Sequence, residues 1–174
     1  KFLLLFLVFI YLENIYPQTK FTFFSEKNKS IIVYDSEDYK LTQIAANCLA
    51  NDIFLVTDFK PEVVNYIPEY QPDVNLIVIG SIDKSNIIKN LLNTYKISVF
   101  EIKGKWECFK INIITDRKRK ILLIIGSDRR GVAYGVFNIS ERIGISPWYW
   151  WADVNPEKRS FLSVEIADTI SLPP

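Results

Sequence analysis

The stretch GSDRRG, from Gly126 to Gly131, has the glycine spacing of a phosphate-binding loop. In such a loop backbone N–H groups cradle phosphate, a following Lys reaches the terminal phosphates, and a Ser or Thr hydroxyl holds the metal. Val132 and Ala133 stand in those two places here. Asp128 occupies the position where a dinucleotide-binding loop needs its second glycine, and its carboxylate would repel a pyrophosphate. The stretch is therefore a strand-to-helix turn, and Arg129 and Arg130 are accounted for by a solvated helix start.

Glycosidic bonds are cleaved by two positioned carboxylates. Among 20 acidic residues, Asp35, Glu37 and Asp38 cluster at a strand-to-helix turn, where capping explains them. Asp153 lies beside Trp150 and Trp151, but no second carboxylate is set against it by any pattern, so no catalytic residue is assigned. Three of the four tryptophans, Trp148, Trp150 and Trp151, fall within ISPWYWWADV (Ile145–Val154). Pro147 biases this segment toward extended backbone, on which Trp148 and Trp150 face one way and Tyr149 and Trp151 the other. Such aromatic faces serve as sugar platforms or as a seam against other protein. Trp150, Trp151 and Asp153 are the candidate substrate-binding residues.

The chain contains no histidine, which excludes a Ser–His–Asp triad, a Cys–His pair and any histidine metal site within it. Cys48 and Cys108 form no CxxC motif; they are expected as buried free thiols, with pairing left open. No cofactor and no metal is expected. With 21 basic and 20 acidic residues, net charge gives no case for nucleic acid or an anionic membrane as partner.

The elements that must position these residues alternate between strands and helices. Ser30–Ser36 is a short β-branched strand, and Asp38–Ile53 carries Leu41, Ile44, Ala45, Cys48 and Leu49 at helical spacing. Phe54–Asp58 reads as a second short strand, followed by loop around Pro61, Pro68 and Pro72. Asn75–Gly80 and Ile121–Gly126 are apolar on both faces, as buried central strands are. Asp83–Tyr95 is a helix with Ile87, Ile88, Leu91 and Leu92 inward, and Lys103–Ile114 a strand near an edge. The basic turn Thr115–Lys120 is expected in solvent. The last helix starts at a capping Asp128, points Val132, Ala133, Val136, Phe137, Ser140 and Ile143 inward, and ends at Gly144. Gly131 and Gly135 share a face open to close backbone approach. The fold class is α/β: a mixed, mainly parallel sheet flanked by helices. In 174 residues, 49% of them hydrophobic, one domain with a proper core fits.

Residues 1–20 read as a signal-peptide-like segment: Lys1 precedes an apolar run from Phe2 to Leu12, shorter than a membrane span and matching an export signal. The mature protein is expected to begin near Gln18 to Phe21, secreted or periplasmic, with no membrane attachment after signal removal. With no methionine, even at position 1, Lys1 is not expected to be the translated start. Residues 21–147 form the α/β domain, and 148–174 read as an aromatic linker.

The run LLIIGSDRRGVAYGVFNISERIGISPWYWWADV is similar to the N-terminal domain of glycoside hydrolase family 115, the xylan α-1,2-glucuronidases. NLIVIGSIDKSNIIKNLL and IKGKWECFKI resemble the same domain in the same order. The resemblance implies an accessory domain preceding a (β/α) catalytic barrel, absent from this chain, within an exported enzyme. That enzyme would remove glucuronic acid, or its 4-O-methyl form, from glucuronoxylan with inversion. Its acid and base, about 6.5–9.5 Å apart in an inverting pair, would lie in the barrel. The expected partners are that downstream barrel and, through it, glucuronoxylan. Two other readings stand beside this one: a free-standing carbohydrate-binding module using the Trp-rich segment, and an unrelated α/β domain with a ligand at the carboxyl ends of its strands.

Overall fold

The computed structural model describes residues 19–146, 149–152 and 154–172, so the segment preceding Thr19, together with Trp148 and Asp153, lies outside the described residues. The strands are β1 (Thr19–Phe24), β2 (Lys29–Tyr34), β3 (Glu62–Val64), β4 (Val74–Ser81), β5 (Phe109–Asp116), β6 (Arg119–Gly126), β7 (Leu162–Ile166) and β8 (Thr169–Ser171). The helices are α1 (Lys40–Thr57), α2 (Asn86–Tyr95), α3 (Arg129–Arg142) and the single turn α4 (Tyr149–Ala152).

The main sheet has the order β3-β2-β4-β6-β5-β8. The steps from β3 through β2 and β4 to β6 are parallel, whereas β5 and β8 run antiparallel to their neighbours. The two apolar runs, β4 and β6, are paired side by side at the centre, Ile77 opposite Leu122 and Ile79 opposite Ile124. Side chains alternate across a strand, and here both faces are dry. Ile77, Ile79, Leu122 and Ile124 join the core under α1 and α3. Leu76, Val78, Leu123 and Ile125 join a second core with Ile88 and Leu92 of α2. The sheet is thus mixed, mainly parallel and flanked by helices. Among the described residues no helix is long and apolar enough to cross a membrane.

Several local expectations are corrected. Phe54–Asp58 is not a strand but the end of α1, because Leu49, Ile53 and Val56 extend the buried helical stripe and Asp58 (φ 61°) closes it with its N–H on Phe54 O. Lys103–Cys108 is a looped segment; Gly104 (φ 74°) and Glu107 (φ 60°) interrupt extension, and β5 begins at Phe109. Phe137 is exposed and Ile139 takes its place inside, while Ile44 of α1 also faces solvent. Arg119, in the basic turn, is buried and pairs with Asp116 at 2.7 Å. The linker assigned to 148–174 contains two strands of the domain itself. β7 pairs with β1 and buries Leu162 and Ile166, and β8 forms the edge beside β5. The period-2 pattern of Leu162, Val164 and Ile166 is that of a half-buried strand.

Candidate functional site

The parallel strands β2, β4 and β6 deliver their carboxyl ends to one edge of the sheet, and the loops that follow are tied together by carboxylates. Asp35 Oδ2 accepts the N–H groups of Asn86 (2.6 Å) and Ile87 (3.1 Å), the first residues of α2, while Oδ1 accepts from Glu37 N–H (3.0 Å). Against a burial penalty, those backbone donors hold the Asp35 carboxyl below its ordinary range. Asp38 accepts from the Ser81 N–H (2.8 Å) and hydroxyl (2.7 Å), and the Tyr39 hydroxyl donates to Asp83 at 2.6 Å. Capping thus explains Asp35, which meets the first amides of the neighbouring α2 beside its N-cap Ser85, whereas Asp38 braces the end of β4. Tyr39, at the N-cap of α1 itself, makes no side-chain cap bond.

After β6 the turn behaves as its sequence indicates. Asp128 Oδ1 accepts from Gly131 N–H at 2.7 Å, so the α3 start is capped by protein. Asp128 Oδ2 accepts from Glu107 N–H at 3.0 Å, pulling the 104–107 loop onto the turn. Ser127 N–H donates to Cys108 O (2.8 Å), and Cys108 N–H donates to Ser127 Oγ (3.0 Å). Between these loops and Tyr39 opens a cleft of about 540 Å³ lined by Trp106, Glu107, Asp128, Arg129 and Arg130 among others. Arg130 reaches Glu107 at 2.6 Å. Trp106 is 79% exposed. Neither Tyr39 nor Trp106 is marked by a local motif, and the isolated Trp106 within KGKWECFK is the one signal the sequence offers.

A second cleft, of about 580 Å³, lies beside the contact of α1 with α3 and is lined by Cys48, Asp52, Phe109, Tyr134 and Phe137 among others, with Ser171 of β8 also in its lining. Ser140 Oγ donates to Asp52 at 2.5 Å. Burial pushes the Asp52 carboxyl up, and the Ser140 hydroxyl partly opposes it. Burial, then the nearby Asp52, pushes the Cys48 thiol up, which disfavours a reactive thiolate. Both cysteines are free, Cys108 fully buried and Cys48 partly.

The aromatic segment departs from expectation. Tyr149–Ala152 is a helical turn, and Tyr149 N–H donates to Ser146 O at 2.9 Å. Proline restricts chiefly the residue before it, and Tyr149–Ala152 follow it in the chain. The backbone of Tyr149–Ala152 is therefore helical and not extended as expected. Asp153 and the side chains of Trp150 and Trp151 lie outside the described residues, so this candidate trio is not tested by the structure. Among the described residues no group of three or more Cys, Asp or Glu is placed to hold a metal ion.

Fold and edge geometry together define the class: an α/β domain whose strand-end aspartates Asp35, Asp38, Asp83 and Asp128 are committed to backbone amides and side-chain partners. No protein-family model and no curated protein matches the chain. Solved structures do match its fold. One, described as "a novel family GH115 4-O-methyl-alpha-glucuronidase, BtGH115A, with specificity for decorated arabinogalactans", aligns over 83% of this chain at 24% identity and TM-score 0.60. Another, CpGH84D, aligns over 87% of this chain at 11% identity and TM-score 0.50. The chain spans 17% of the first protein's length and 22% of the second's. The chain thus has a fold like that of one part of BtGH115A.

Proposed function

We propose that this chain is a non-catalytic N-terminal domain of an exported glycoside hydrolase resembling the xylan α-1,2-glucuronidases. The whole enzyme would hydrolyse (4-O-methyl)glucuronic acid side chains of glucuronoxylan, with the acid and base carried by a downstream barrel. The domain's own role would be to pack on that barrel, with the Trp-rich segment at the junction and Trp150, Trp151 and Asp153 at the rim of the pocket. The observation that carries this reading is the fold likeness to one part of a much longer glucuronidase. The carboxyl edge agrees with it. Asp35, Asp38 and Asp128 accept backbone N–H groups, Asp83 accepts from Tyr39, and Glu107 pairs with Arg130. Carboxylates so engaged are poor candidates for an acid–base pair. An assay of uronic acid release separates the outcomes. The chain extended by its downstream coding region releases glucuronic acid from glucuronoxylan or from decorated arabinogalactan, and the 174-residue chain releases none. Turnover by the chain alone, or a downstream region without a barrel, contradicts the reading.

A further inference from the structure

We propose that the cleft at the carboxyl edge of the parallel strands, between Trp106 and Arg129, is a binding site for a hexuronate residue of an acidic oligosaccharide. The proposal rests on the carbohydrate-active reading above and adds a ligand site on the domain itself, away from the Trp-rich segment. Its floor is the turn after β6, its walls are Tyr39 and the 104–107 loop, and its volume of about 540 Å³ suits one or two sugar rings.

The charges at the rim leave cations to spare. Arg130 is paired with Glu107 at 2.6 Å, and Asp128 keeps its charge while both its oxygens accept backbone N–H groups, so Arg129 and Lys105 leave the rim one positive charge in excess. Arg129 and Lys105 are exposed, line the cleft, and pair with no carboxylate among the described residues. A guanidinium presents a planar fork matched to a carboxylate. Beside it the Trp106 indole is 79% exposed, an unusual position for so large an apolar group. An indole face accepts the C–H face of a pyranose while the uronate carboxylate turns to the cations. Neutral sugars would use only half of this arrangement. A phosphate would be served worse, because Asp128 fills the place at the α3 start where phosphate takes backbone amides.

The loop that carries Trp106 and Lys105 is built in advance. Lys105 N–H donates to Ile102 O (3.2 Å), Glu107 N–H to Asp128 (3.0 Å), and Cys108 N–H to Ser127 (3.0 Å), while Cys108 Sγ contacts Trp106 O at 3.3 Å. Little ordering is left for a ligand to impose, which favours binding.

The test follows the Trp106 indole N–H signal of the full chain, assigned by its disappearance in Trp106→Ala, as oligosaccharides are added. Glucuronic-acid-substituted xylo-oligosaccharide shifts it saturably, and the unsubstituted oligosaccharide binds weaker by about tenfold. By calorimetry, Trp106→Ala removes binding. Arg129→Gln and Lys105→Gln each weaken the acidic ligand several-fold and leave the neutral one unchanged. All three side chains are exposed, and circular dichroism confirms that the variants fold. Absence of saturable binding, equal affinity for the neutral ligand, displacement by inorganic phosphate, or undiminished binding in Trp106→Ala each overturns the proposal. Uronic acid release by the downstream-extended protein reports separately on the functional reading. Activity without Trp106-dependent binding removes this site and leaves that reading standing, and binding without a downstream barrel does the reverse.

Discussion

Gly131 lies so close to Cys108 that a Cβ added at position 131 would stand 2.0 Å from the Cys108 carbonyl oxygen. The first turn of α3 is thereby seated directly on the backbone that leads into β5. Gly135, one turn on, is closed by Ile124 at 2.7 Å, so the two glycines form the contact face of the helix. Gly131→Ala must push the helix off the sheet, because the obstacle is backbone. The expected cost is about 3 kcal/mol or more, at the upper end of overpacking, measured by urea unfolding. Gly104→Ala is the comparison. Nothing lies within 4 Å of that site, so only the left-handed φ of 74° is strained, at about 1 kcal/mol.

Asp128 joins two things, the cap of α3 and the tether of the 104–107 loop. Asp128→Ala is expected to cost about 1–2 kcal/mol and to raise hydrogen exchange at the Glu107 and Gly131 amides. Loss of stability without faster exchange at Glu107 would show that the tether is not formed.

How much of this was legible locally is shown by particular residues. The Asp128 cap and the Gly131–Gly135 face follow from chemistry within a few positions, and the apolar runs of β4 and β6 announce central strands. What was missed depends on distant pairing. Phe54–Asp58 is β-branched and aromatic enough for a strand, yet Leu49 and Ile53 already point the same stripe at the sheet, and tertiary burial prevails. The Trp106 cleft gathers residues near positions 39, 106 and 129, which meet only because β6 lies between β4 and β5. Local periodicity does not encode that order.

Asp35 should contribute to acid sensitivity. Its folded carboxyl sits below the ordinary value of 3.8, so its ionised form stabilises the fold. That contribution is present above the ordinary value and is lost as pH falls through the lower folded value. Asp35→Asn should lower stability at neutral pH by about 1–3 kcal/mol and flatten the acid limb of a stability–pH curve. An unchanged acid limb would show that the α2 amides do not hold this carboxylate.

Asp52 has the opposite sign. Its folded carboxyl sits above the ordinary value of 3.8, because burial between α1 and α3 disfavours the charge. Its contribution is fully present below the ordinary value and is lost as pH rises through the folded value. Asp52→Asn retains an acceptor for Ser140 and should raise the melting temperature at neutral pH, with the gain vanishing in acid. A lower melting temperature at neutral pH would mean that the charged Ser140 hydrogen bond outweighs the burial penalty.

The central claim is that the chemistry resides outside this domain. The most direct measurement is the release of glucuronic acid from glucuronoxylan, followed in parallel for the chain alone and for the chain joined to its downstream coding region. Release by the joined protein only is the predicted result. Release by the chain alone would contradict the account.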